Sequence, residues 1–101
     1  MTEKFGLSKR TIDELLAYFR SKSNIKKVVL YGSRAKNTFK AGSDIDFAIW
    51  TDIPNLTSSI LDELENLPTP YKFDVTDYDS LDNDNLKQSI NNFGILFYEK
   101  R

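Results

Sequence analysis

Residues 28–46 read Val-Val-Leu-Tyr-Gly-Ser-Arg-Ala-Lys-Asn-Thr-Phe-Lys-Ala-Gly-Ser-Asp-Ile-Asp. Val28 to Tyr31 is a short apolar run of the kind that forms a buried strand, and the strand is expected over 26–31. Gly32-Ser33 stops it. Ten residues later Asp44 and Asp46 open a second apolar segment, Ile45 to Trp50. Alternate residues of a strand share a face, so Asp44 and Asp46 point the same way, a few ångströms apart. Carboxylates that close repel and raise each other's pKa unless a cation sits between them. Paired in this way they suit a hard divalent ion such as Mg²⁺, which takes oxygen ligands and often shares them with phosphate. The Gly-Ser turn supplies the complement, because its backbone N–H groups and the Ser33 hydroxyl can hold phosphate oxygens. A plainer reading also exists, a hairpin with a polar loop in which Asp44 only turns the chain.

The rest of the composition narrows the chemistry. The chain has 101 residues, enough for one domain, with 40% hydrophobic and 13% aromatic residues to build one core. It has 14 basic and 15 acidic residues and a net charge of −1, so no basic excess marks a nucleic-acid footprint. It has no cysteine and no histidine. Disulfides, thiolate zinc sites and His-based acid–base or nucleophilic chemistry are therefore excluded. Any metal must sit on carboxylates. No segment approaches about 18 consecutive apolar residues and no apolar leader opens the chain, so the cytoplasm is the expected compartment.

Outward from the central stretch, the pattern predicts alternating helices and strands. Residues 1–7 read as loosely ordered. Ser8 is a candidate N-cap for a helix over Thr11 to Ser21, with Ile12, Leu15, Leu16 and Phe19 on one face. Residues 34–38 read as a short helix, and Lys40 to Ser43 as a loop. Pro54-Asn55 opens a helix that runs to about Leu67, and Pro68 and Pro70 end it. Residues 71–77 alternate as a strand, with Phe73 and Val75 on one face and Lys72, Asp74 and Thr76 on the other. Tyr78 to Asn83 reads as a turn. Asn83 or Asp84 caps a last helix, Asn85 to Asn92, with Gly94 as its C-cap and a final strand over Ile95 to Tyr98.

Gly32-Ser33, a ten-residue spacer and Asp44-Ile45-Asp46, set between two strands, resemble the signature of the DNA polymerase β-like nucleotidyltransferase superfamily. The resemblance implies an α+β fold, a mixed sheet of about four strands with flanking helices. It implies a third acid on a later strand. Asp74, in Lys72-Phe73-Asp74-Val75, holds that place, against the bland reading of a solvated strand residue, with Asp77 as its competitor. The implied site takes Asp44, Asp46 and Asp74 as catalytic residues and ligands of two Mg²⁺ ions. Gly32, Ser33 and Arg34 then lie at the phosphates of ATP. Where the family usually has a second Arg and a Gly, this chain has Lys36 and Asn37; lysine brings charge without a bidentate fork.

The short chain, without room for an acceptor-binding domain, resembles the minimal nucleotidyltransferase (MNT) type. Such proteins commonly pair with a small helical HEPN protein. The resemblance implies an antitoxin that moves AMP from ATP to a tyrosine of the HEPN toxin within a hetero-oligomer, without membrane or direct nucleic-acid binding. Two alternatives stay open. One is a binding module that blocks a partner by contact. The other is transfer to a small hydroxylated molecule, of the aminoglycoside type.

Overall fold

The structure is a computed structural model and describes residues 4–100. Its centre is a mixed four-stranded sheet in the order β3-β2-β1-β4. The strands are β1 (Ile25–Tyr31), β2 (Ile45–Thr51), β3 (Phe73–Asp77) and β4 (Ile95–Glu99). β1 pairs antiparallel with β2 and with β4, and β2 pairs parallel with β3. A mixed four-stranded sheet with flanking helices is the fold expected from the sequence. A parallel neighbour requires a crossover, and α3 (Thr57–Glu65) supplies it.

Alternation along each strand builds two unlike faces. Val28, Leu30, Ile45, Phe47, Ile49 and Phe73 pack under α1 (Lys9–Ser21) and α3, against Leu15, Phe19, Ile60 and Leu64. Phe19 is the hub of this core. Its ring meets Phe47 edge-on at 5.3 Å and Phe97 at 6.0 Å. Ser8 caps α1 as expected, its hydroxyl accepting from the Thr11 N–H. On the opposite face Val29, Tyr31 and Ala48 pack with Ile90 and Leu86 of α4 (Asp84–Phe93) and with the Trp50, Tyr78 and Leu81 side chains.

The order of the N-terminal segment departs from expectation. Residues 1–3 lie outside the described residues, but 4–7 form a closed turn. Lys4 and Leu7 exchange backbone hydrogen bonds of 3.1 and 2.8 Å, and Leu7 is fully buried in the core. Phe5 and Gly6 carry φ values of 59° and 72°. A single leucine at the end of a polar stretch has no periodicity, so only packing reveals its place. The crossover helix is shorter than the 55–67 expected, and Gly94 caps α4 in extended backbone rather than in the left-handed form. What demands glycine there is proximity, because a Cβ would press on the Ile90 carbonyl.

Candidate active site

Between β1 and β2 the chain makes one helical turn, α2 (Ser33–Lys36), and then an exposed loop. Gly32 opens this turn at φ 77°, in the region that side chains avoid, and no side chain caps it. A Cβ on Gly32 would run into the Asp46 carboxylate. The backbone of the Gly-Ser turn thus lies directly against the second acid of the pair. Asn37 ends the turn at φ 62°, and its N–H bonds the Ser33 carbonyl. Asparagine tolerates this conformation better than most residues, so Asn37 can stand where the superfamily has glycine.

The strand register brings the acids together. Asp46 on β2 is the Cα partner of Asp74 on β3 and of Tyr31 on β1. All three lie away from the aromatic core. Asp46 is half-buried, whereas Asp44 and Asp74 are exposed. Asp46 has its pKa pushed up to about 6, first by burial and then by the charges of Asp74 and Asp44, with Arg34 opposing. Asp77 is occupied elsewhere. Its carboxylate accepts from the Asp79 N–H at 3.2 Å and the Ser80 hydroxyl at 2.9 Å, capping a single 3₁₀ turn at Tyr78–Ser80.

The three acids do not close into one metal-sized cluster. Among the described residues no three His, Cys, Asp or Glu side chains form a ready metal-ligand group. Asp44 and Asp74 are solvated, and Asp46 is half-buried, with both of their charges acting on it. The donor set nonetheless fits a hard divalent cation. It is all oxygen, and Asp46, whose pKa is raised first by burial and then by the charges of Asp74 and Asp44, is a carboxylate that a cation would stabilise.

Two residues take places the sequence did not signal. The Tyr31 hydroxyl reaches from β1 across β2 to Thr76 on β3, where the two hydroxyls lie 2.9 Å apart. Ala48 lies in the same packed cluster and is fully buried; its small side chain makes room for the ring. Burial chiefly, with Asp74 and Asp46 adding to it, raises the Tyr31 pKa against the opposing Thr76 hydrogen bond. Tyr31 and Thr76 thus wall the acids on the sheet side. The other surprise is Arg34. Expected at the phosphates, it is 2% exposed. Its terminal nitrogens donate to the Phe5 and Ser43 carbonyls, each at 2.8 Å. A guanidinium engaged in this way is not a free phosphate ligand.

Comparison with known proteins decides the family. The family model described as polymerase beta, nucleotidyltransferase, matches residues 13–101. The chain belongs to the polymerase β nucleotidyltransferase family. No curated protein matches it. Among solved structures, this nucleotidyltransferase domain resembles a chain of the MntA-HepT toxin–antitoxin complex, with TM-score 0.68 and 16% identity over 92% of this chain and 74% of that one. It also resembles a chain of the tri-AMPylated Shewanella oneidensis HEPN toxin in complex with MNT antitoxin, with TM-score 0.67 and 17% identity over 91% and 72%. A third match is a toxin–antitoxin complex with AMP-PNP, with TM-score 0.63 and 22% identity over 94% and 76%. The structural likeness is thus to MNT antitoxins of HEPN/MNT pairs. Among the described residues no helix is long and apolar enough to cross a membrane.

Proposed function

We propose that this domain transfers AMP from ATP to a tyrosine hydroxyl of a HEPN-type toxin, in a hetero-oligomer with it, and so acts as an antitoxin. The observation that carries the reading is the contact of the Gly32 turn with Asp46, which sets a phosphate-binding backbone against a carboxylate flanked by Asp44 and Asp74. Support for the partner comes from the structural neighbours, which are toxin–antitoxin complexes.

In this reading Gly32 and Ser33 hold the β- and γ-phosphates through backbone N–H groups and the Ser33 hydroxyl. The acceptor oxygen attacks the α-phosphorus, the bond to the β-phosphate's bridging oxygen breaks, and pyrophosphate leaves. Asp74, exposed on the edge strand, would take the proton from the attacking hydroxyl. Asp44, Asp46 and Asp74 would hold two Mg²⁺ ions, which when bound offset the charge of the phosphates and of the leaving group. Tyr31 and Thr76 keep water from the buried side of Asp46.

The test is incubation of the chain with its co-expressed neighbour, ATP and Mg²⁺, followed by intact-mass analysis. Mass increments of whole adenylate units on the partner are expected, abolished by Tyr→Phe exchange at the acceptor. A neutralised partner with unchanged mass would overturn the transfer and leave inhibition by contact.

A further inference from the structure

The Arg34 guanidinium joins three stretches that are far apart in sequence. It bonds Phe5 in the N-terminal turn and Ser43 in the loop before β2, and it starts from the residue after Ser33. Its flat faces lie 5.1 Å from the Phe39 ring and 5.1 Å from the Tyr71 ring. The turn is fitted to it. A Cβ on Gly6 would come within 2.8 Å of Arg34 Nη1 and would also strike the Phe39 ring, and the Tyr71 hydroxyl donates to the Gly6 carbonyl at 3.4 Å. Arg34 Nε is buried without a hydrogen-bond partner.

Burying a cation is costly, and apolar side chains commonly hold such segments at lower desolvation cost. What an apolar residue cannot do is fix the direction of two carbonyls at once, which the planar fork does. One of those carbonyls belongs to Ser43, the residue immediately before Asp44. Most of the loop leading to it, from Asn37 to Gly42, is exposed. Ser43 closes a turn with Lys40, whose N–H donates to the Ser43 hydroxyl at 2.8 Å, and β2 begins at Ile45. The Arg34 fork is what ties that turn to the N-terminal segment.

We propose that Arg34 is a positioning residue for Asp44. It holds the first acid of the pair at a set distance from the Gly32-Ser33 turn, and the Lys4–Leu7 turn is the other jaw of its clamp. The inference rests on the transfer reading above. The turn at 4–7 lies before residues 13–101, the part the family model matches.

Two variants test the clamp. Arg34→Lys keeps the charge and loses the fork. Gly6→Ala keeps Arg34 but crowds its Nη1 and the Phe39 ring. Transfer kinetics with Mg²⁺ and ATP are measured per folded molecule, alongside Mn²⁺ titration of each chain with a non-hydrolysable ATP analogue. A misplaced acid lowers kcat about tenfold or more while KM for ATP stays within about threefold. Mn²⁺ should bind roughly fivefold more weakly or worse in both variants, with the melting transition retained. A rise in KM at native kcat would assign Arg34 to the phosphates and overturn the clamp. Native kcat and native Mn²⁺ affinity in folded variants would reduce it to a structural filler and overturn it equally. If Arg34→Lys does not fold, Gly6→Ala gives the same readouts. If the native chain transfers nothing, the transfer reading fails by itself, and the Mn²⁺ affinities still decide the clamp.

Discussion

The two faces of the sheet are built on opposite terms. Beneath α1 and α3, Phe19, Phe47, Ile49 and Leu64 are fully buried among apolar neighbours. On the other side, α4 packs on a smaller cluster of Val29, Tyr31 and Ala48 with Trp50 and Tyr78, whose rings stack at 4.4 Å. That side also carries Asp46 and Asp74 side by side. One face gains stability from burial. The other keeps like charges together, an arrangement that costs stability and is tolerated where a site needs it. Substitutions should therefore separate: the acid end should yield loss of activity without unfolding, the aromatic face unfolding first.

The sharpest break of this contrast is the Asp44→Asn/Asp46→Asn double variant. Transfer should fall by about a thousandfold or more, since the lost charges act mainly in the transition state. Its melting temperature should hold or rise, because repulsion is relieved. In cells carrying the partner, protection should fail at native expression level, although the variant still binds. Full protection by the folded double variant would sink the catalytic antitoxin and favour a contact inhibitor.

On the opposite face, Phe47→Ala removes a ring that packs on Phe19, Phe73 and Phe97. Denaturant titration should show a loss of about 3–5 kcal/mol. Whatever variant remains folded should transfer nucleotide at close to the native rate per molecule.

Gly32→Ala tests the seam between turn and acid. The positive φ, with an extended ψ that only glycine readily adopts, costs about 1–3 kcal/mol, and the new methyl also displaces the Asp46 carboxylate. Transfer should drop about a hundredfold, well beyond the effect of Ser33→Ala. That substitution leaves the backbone N–H groups in place and should cost only about tenfold.

The smallest effect is a pH signature. The Asp46 pKa is raised from 3.8 to about 6 in the folded chain, so between those values the native state holds the extra proton. Stability from this group is therefore greatest below about pH 4 and is lost as pH rises through 6. Denaturant midpoints of the metal-free protein at pH 4, 5, 6 and 7 should decline relative to Asp46→Asn. Parallel curves for the two proteins would remove the charge conflict from the account.

Much of this was legible in the chain. Asp44, Asp46 and the Gly32-Ser33 turn were found because strand alternation and a glycine stop are local signals, set by backbone sterics within a few residues. Asp74 was pointed to by the family resemblance, on a strand that the alternation of Phe73 and Val75 marks, and the pairing of β2 with β3 sets it beside Asp46. Other features follow from contacts between distant segments. The burial of Leu7, the seating of β4 beside β1, the Tyr31–Thr76 bridge above Ala48 and the turn of Arg34 toward Phe5 and Ser43 carry no period and no motif. Arg34, next to the Gly32-Ser33 turn, is placed at the phosphates by the family resemblance. Only the packed fold, with two carbonyls and two rings around the guanidinium, decided that its hydrogen bonds go to the protein itself, because a buried cation takes the acceptors that folding brings within reach.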